Sequence, residues 1–287
     1  MRWGESNIKI IIALAILGLL IFLYLQNNSI VTTVIKVKFD RLPGTFHGYR
    51  IVHLSDLHNK AFGRDQKGLV DRIRAENPDL IVFTGDIVDS RRHGADNGIA
   101  LMRQITKIAP VYYVTGNHEW ASGKVDVIRG FLEKEGVKVL QDEHDVIQVN
   151  GDKIYIIGID DPVSRHGGQW SKEPSIVKSS IQKAVEGIPK GDSFKILLTH
   201  RPEKFSIYSE FDIDLSLAGH AHGGQVRLPL VGGLFAPNQG ILPKYSEGKH
   251  KIGSSAMIVS RGLGNSIAPQ RLFNRPEIVI VELENNR

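Results

Sequence analysis

The chain has 287 residues, 41% of them hydrophobic and 23% charged, which is ample for one sizeable core and excludes an intrinsically disordered protein. It has no cysteine, so disulfides and thiolate metal sites are excluded, and any metal must sit on His, Asp, Glu or Asn. The formal net charge of +5 is mild, and no dense Lys/Arg run with interleaved aromatics occurs, so no nucleic-acid partner is expected.

Ile10 to Leu25 is an apolar run of sixteen residues, extended to eighteen by Ile8 and Lys9. A helix of that length spans roughly 27 Å, near the hydrocarbon thickness of a bilayer. Gln26, Asn27 and Asn28 come next without a small-residue cleavage site, so an uncleaved signal anchor is expected. Arg2 and Lys9 put the N-terminus in the cytoplasm and the body of the chain outside, a single-pass cell-membrane topology that Lys36, Lys38 and Arg41 weaken. Residues 1–30 are thus read as tip, anchor and linker, and 31–287 as one globular domain.

Within that domain Ile35, Val37 and Phe39 alternate with Lys36 and Lys38, the pattern of a half-buried strand. Six short Val/Ile/Leu-rich runs then read as buried strands: 51–55, 80–84, 111–115, 154–159, 196–199 and 215–218. Between them lie four helical patterns. Leu69, Val70 and Ile73 stop at Pro78; Ile99, Met102, Ile105 and Ile108 stop at Pro110. Val125, Ile128, Phe131 and Leu132 come after Ser122 as a cap, and Ile176, Ile181, Ala184 and Val185 end at Gly187. Asn150-Gly151 is a type I′ hairpin signal. The alternation predicts an α/β core with mixed sheets. Residues 226–244 carry three prolines and form neither one helix nor one strand. Their apolar members, including Leu228, Leu230, Val231, Leu234 and Phe235, read either as a loop that touches membrane or as one packed on its own core.

The residues just past the strands carry the chemistry. Asp56-Leu57-His58, Gly85-Asp86, Gly116-Asn117-His118-Glu119, His200 and Gly219-His220-Ala221-His222 each stand at a strand end. Ligands bind beyond the carboxyl ends of strands in open α/β sheets, so neighbouring strands would bring these groups into one crevice. Two divalent cations need several N and O donors each, and a shared carboxylate holds them roughly 3.5–4 Å apart. Asp86, next to the turn-permitting Gly85, suits that bridging place. Asp-x-His and His-x-His send alternate side chains to one side of an extended segment. Each motif alone is weak, since Gly-Asp usually marks a turn and a lone histidine is usually structural. Their joint occurrence, in order and always at strand ends, is specific.

This set resembles the five motifs of the calcineurin-like metallophosphoesterases over about residues 50–223. The segments 223–229 and 260–264 extend the resemblance to the membrane-associated YkuE/YaeI-type branch, similar to a group that includes a UDP-2,3-diacylglucosamine pyrophosphatase. Glu119 stands where the superfamily often has Asp. The resemblance implies two mixed β-sheets packed as a sandwich flanked by helices, behind one N-terminal transmembrane helix. It implies that Asp56, His58, Asp86 and His222 hold one metal, and Asp86, Asn117, His200 and His220 the other. His118 then acts on substrate as general acid or phosphoryl-oxygen stabiliser, with Asn117 beside it. The expected cofactors are two divalent ions among Mn²⁺, Fe²⁺ and Zn²⁺.

The expected activity is hydrolysis of a phosphoester or pyrophosphate by a water ionised between the two metals, on a lipid-linked or cell-envelope substrate. The alternatives are a broad phosphodiesterase without lipid preference and a tethered metal-binding protein without turnover; the intact His118 speaks against the last. His47, His53, His93, His144, His166 and His250 read as structural or surface residues. Arg91, Arg92, Asp160 and Asp161 come after motif strands and read equally as substrate contacts or loop surface.

Overall fold

The computed structural model describes residues 2–286 apart from 93, 168, 192 and 267, with side chains from residue 7 onward except that of residue 166. His93 and the side chain of His166 therefore lie outside the described set. The first element is α1 (Arg2–Asn28), and its Asn7–Asn28 segment is long and apolar enough to cross a membrane.

Twelve strands of the domain make two six-stranded sheets. The first has the order β1-β16-β2-β3-β4-β5, from β1 (Val31–Phe39), β2 (Arg50–Leu54), β3 (Leu80–Thr84), β4 (Val111–Val114), β5 (Lys138–Val139) and the C-terminal β16 (Glu277–Asn285). β2 to β5 run parallel, and β16 enters between β1 and β2, antiparallel to β2. The second has the order β14-β15-β9-β8-β7-β6, from β6 (Glu143–Val149), β7 (Asp152–Gly158), β8 (Phe194–Leu198), β9 (Leu215–Ala218), β14 (Gly248–Ile252) and β15 (Ser255–Val259). Here β7, β8, β9 and β15 are parallel. Asn150 and Gly151 join β6 to β7 with φ of 49° and 94°, the two positive values that a type I′ turn needs.

One core lies between the sheets, where Ile51, Val82, Val114 and Val281 of the first meet Ile156, Ile196, Leu217 and Ile258 of the second. The outer face of the first sheet is covered by α2 (Lys67–Ala75), α3 (Asp96–Ile105) and, beyond the short α4 (Asn117–Ala121), α5 (Val125–Lys134). The outer face of the second is covered by α7 (Glu173–Ala184) and α8 (Phe205–Tyr208), after the single turn of α6 (Val163–His166). The result is the expected α/β sandwich flanked by helices, with β2, β3, β4, β8 and β9 buried on both faces as their apolar runs require.

Some faces differ from the periodicity. α3 turns Leu101, Met102 and Ile105 inward and leaves Ile99 half-covered, while α5 buries Ile128 and Leu132 but exposes Phe131. Ser122 ends α4 and does not cap α5, whose N-cap is Lys124; its hydroxyl accepts the Lys124 amide at 3.1 Å. Residues 227–241 form two small hairpins, β10 (Arg227–Leu228) with β11 (Gly232–Gly233) and β12 (Phe235–Ala236) with β13 (Gly240–Ile241).

Candidate metal centre

The parallel strands of both sheets end at the same rim. Two hydrogen bonds between the sheets fix the meeting, His200 Nδ1 donating to the Thr84 carbonyl at 2.6 Å and the His220 amide to Asp56 Oδ2 at 3.1 Å, and within the first sheet the His118 amide donates to Asp86 Oδ1 at 2.8 Å. Asp56, His58, Asp86, His220 and His222 all have positive φ, between 48° and 64°. Left-handed backbone costs on the order of 1–2 kcal/mol per residue, less for Asp and His, and only the surrounding packing maintains it. Gly85 and Gly219 make the close approach possible: a Cβ on the first would strike the Gly116 backbone, and one on the second would strike Ser55 and Asp56.

Two groups of donors result. Asp56, His58, Asp86 and His222 lie with ligating atoms within 4.8 Å of one another, and so do Asp86, His200 and His220. Asp86 belongs to both. Its Oδ2 is 3.7 Å from His58 Nε2 and 3.2 Å from His200 Nε2. His58 and His222 aim their Nε2 atoms at each other across 3.2 Å, as do His220 Nδ1 and His200 Nε2. Asn117 opens α4 and lines the same cleft; its buried Oδ1 has no hydrogen-bond partner among the described residues.

Electrostatics match the donor set. Burial, together with nearby charged groups, pushes His58 down to about 3 and holds His220 and His222 well below the usual imidazole range, so all three offer lone pairs at neutral pH. Burial also pushes Asp56 up to about 6. For the His200–Asp86 pair burial opposes both charges, but their mutual attraction wins: His200 rises to about 10 and Asp86 falls well below the usual carboxylate range. That pair holds a proton where a cation would sit. Converging neutral ring nitrogens, two carboxylates and an orphaned amide oxygen fit divalent cations with N/O preference.

His118 stands at the edge of this group. Its Nδ1 accepts the Ser90 amide at 3.0 Å, so the proton of the neutral ring is on Nε2, 4.0 Å from Asp86 Oδ2. Asp89 Oδ1 lies 3.4 Å from Nδ1, and His58, Asp89 and His118 form a third close group. Asp89 escaped the sequence reading, although its place three residues after Asp86 was a usable signal. Glu119 is buried and accepts the amides of Asp86 (2.8 Å), Gly116 (2.7 Å) and Val88 (3.2 Å), tying the second and third motifs together; burial raises it to about 7.

A second layer orients these donors. His220 Nε2 lies 3.0 Å from Asn238 Oδ1 and 3.2 Å from Arg201 Nη1, and Arg201 donates to that same oxygen at 2.8 Å while its fork grips Asp161 at 2.5 and 3.0 Å. Asn238 sits on an irregular turn and carried no sequence signal. Asp161 is therefore a buried partner of Arg201 and not loop surface. Asp160, also buried, accepts the Thr115 hydroxyl at 2.7 Å, and burial raises it to about 6. Arg91 lines the cleft and Arg92 points outward; both pair with Asp89. The cleft holds about 350 Å³, enough for a small phosphoester group. Of the remaining histidines, His53 is buried against Thr84 at 2.9 Å, His144 meets the Ala184 carbonyl, His47 accepts the Asn285 amide and His250 is half-buried.

This fold and donor set define a metal-dependent phosphoester hydrolase, and comparison with known proteins agrees. The chain belongs to the calcineurin-like phosphoesterase family, whose profile matches residues 49–224. It is 31% identical over 269 residues to the Bacillus subtilis metallophosphoesterase YkuE, covering 91% of this chain and 88% of that one. It is 29% identical over 246 residues to phosphodiesterase YaeI of Escherichia coli, covering 82% of each. A Danio rerio transmembrane protein with a metallophosphoesterase domain is 28% identical over 87% of this chain and 56% of its own length.

Proposed function

We propose that the chain hydrolyses a phosphoester or pyrophosphate bond in a lipid-linked or cell-envelope substrate, at a two-metal site. In this reading Asp56, His58, Asp86 and His222 hold one ion, Asp86, Asn117, His200 and His220 hold the other, and Asp86 is shared. The observation that carries it is the pair of donor groups meeting at one carboxylate, with His118 Nε2 4.0 Å away. Bound there, Mn²⁺, Fe²⁺ or Zn²⁺ ions supply positive charge for phosphoryl oxygens and lower the pKa of a water nucleophile. His118, whose Nδ1 accepts the Ser90 amide, presents Nε2–H to the departing oxygen. Asn117 and Arg91 orient the phosphoryl group.

The apolar helix α1 supports a single-pass anchor (residues 1–30), and Arg2 and Lys9 on its short N-terminal side favour a catalytic domain (31–287) outside the cytoplasm. A membrane tether beside the cleft favours a lipid-linked substrate. The name of YaeI favours a second reading, a phosphodiesterase without lipid preference. Two measurements test both. Manganese-dependent, EDTA-sensitive release of p-nitrophenol from bis(p-nitrophenyl) phosphate is expected; its absence with any of the three metals would sink the catalytic reading. Mass spectrometry of envelope lipid extracts treated with the enzyme is expected to show loss of one phosphorylated species; no lipid change alongside rapid turnover of soluble diesters would leave the second reading.

A further inference from the structure

We propose that an exposed apolar strip, running from the end of α1 across both small hairpins, is a membrane-contact surface that lays the mouth of the metal cleft against the bilayer. The inference rests on α1 spanning the membrane, and is independent of which phosphoester is cleaved.

The strip begins at a fixed junction. α1 does not leave the domain through a free linker. The Asn27 carboxamide oxygen accepts the Arg271 amide at 2.8 Å and Asn265 Nδ2 at 3.1 Å, and Gln270 donates to the Leu23 carbonyl at 3.0 Å. Phe22 packs on Phe273 with ring centroids 5.7 Å apart. Phe22 lies three residues inside the apolar run that ends at Leu25, about 4.5 Å along the helix, and that run is about 27 Å long, close to a bilayer's hydrocarbon thickness. Phe273 therefore meets α1 at a depth that lipid occupies.

From there the chain passes the contact along. Arg227 donates its amide to the Leu272 carbonyl at 3.0 Å, and Phe273 shares one groove with Leu228, Leu230 and Val231 of the first hairpin. The Leu234 amide donates to Val226 and the Leu242 amide to Leu234, both at 2.9 Å, which sets the second hairpin beside the first. On it Phe235 and Ile241 are cross-strand partners, 48% and 81% exposed. Pro237 and Asn238, at the turn of this hairpin, line the metal cleft.

Backbone strain separates this strip from scattered surface hydrophobes. Leu230, Leu242 and Phe273 have φ of 69°, 53° and 50°. Glycine or asparagine adopts that conformation at little cost, whereas a bulky apolar residue does not. Leu230 is fully exposed, and the other two are more than half exposed. Phe273 packs one side on Phe22 of α1, while Leu230 and Leu242 stay open to the surroundings, so the gain that offsets the strain at those two comes from outside the chain. Continuity with α1 makes lipid the occupant. The nearby cations do not argue for a charged partner, since Arg227 pairs with Glu247, and Arg261 with Glu247 and Glu277.

The chain has no cysteine, so single labels are simple to place. Full-length L230C, I241C and K153C, the last at the opposite end of β7 from the cleft, are labelled with the environment-sensitive dye NBD. Each is reconstituted into phosphatidylcholine–phosphatidylglycerol vesicles with and without doxyl-labelled lipid. Labels at 230 and 241 are expected to brighten severalfold over the label at 153 and to be quenched by doxyl lipid. Labels as open to aqueous iodide as that at 153 would overturn the surface, and so would bright labels that doxyl lipid fails to quench, since protein would then cover them. Turnover of bis(p-nitrophenyl) phosphate separates the two readings. Quenched labels on an inactive chain remove the proposed function and leave the surface; unquenched labels on an active chain remove the surface alone.

Discussion

The two donor groups that share Asp86 are built differently. On the β8–β9 side each histidine has its outer nitrogen tied down: His200 Nδ1 to the Thr84 carbonyl, His220 Nε2 to Asn238, which Arg201 and Asp161 hold in turn. On the β2 side the outer nitrogens of His58 and His222 are buried and have no hydrogen-bond partner among the described residues. A tied outer nitrogen fixes the tautomer and the ring angle before an ion arrives, and such partners typically change metal affinity 10–100-fold. One site is therefore preorganised and the other adaptable. Sharing a carboxylate does not make the sites equivalent; affinity is expected to track the second layer.

The largest effect tests what the sites share. Asp86→Asn is expected to reduce bound metal from two ions per chain to fewer than one, measured by inductively coupled plasma mass spectrometry, with activity lower than for the substitutions at His118 and Asn238. Two retained ions would contradict the shared position. His118→Asn comes next. His118 belongs to neither of the two donor groups that share Asp86, although its ring packs on His58 with centroids 4.6 Å apart, and the variant is expected to keep both ions. It should lower turnover of alkyl phosphodiesters by about 10²–10⁴ while sparing p-nitrophenyl esters, whose leaving group needs no proton. Equal damage to both substrates would remove the general-acid role.

Asn238→Ala addresses the asymmetry itself. Calorimetric titration of the metal-free chain with Mn²⁺ is expected to resolve a tighter and a weaker site. The variant is expected to weaken the tighter one by about 10–100-fold and draw the two together. If both affinities stay unchanged, the contrast between tied and untied rings has no thermodynamic meaning.

The same contrast marks what was legible in the sequence. The ligand motifs stood out because buried parallel strands are continuous Val/Ile/Leu runs, and a polar residue that ends such a run is conspicuous, as at Leu80–Thr84 with Gly85-Asp86 after it. The inter-sheet core was legible from those runs as well. The last strand, β16, was not, because its central place between β1 and β2 depends on pairings some 230 to 250 residues apart that no local pattern encodes. The second layer was equally hidden. Asn238 lies in a segment whose composition says only turn, and Arg201 adjoins His200 with nothing to show that it faces Asp161. Donor type is written in the residues at strand ends, while donor orientation is written in tertiary contacts.

The smallest expected effect reaches one layer further out on the tied side. His53 Nε2 bonds the Thr84 hydroxyl at 2.9 Å, and the carbonyl of that same Thr84 holds His200. Burial pushes His53 down to about 3, against about 6.5 for an exposed imidazole. With the folded value depressed, the unfolded chain binds the proton first. Stability from this group is complete above about pH 6.5 and is lost as pH falls toward 3, by about 2 kcal/mol on reaching pH 5. His58, His220 and His222 titrate in the same direction in the metal-free chain, so the parent alone cannot isolate His53. His53→Gln keeps a polar contact to Thr84 and removes the charge. Urea unfolding of the two metal-free chains at pH 7 and pH 5 is expected to show a smaller loss for the variant, by roughly that amount. Identical losses would mean that His53 is not insulated from solvent, and that the support beneath His200 is looser than the packing around Thr84 indicates.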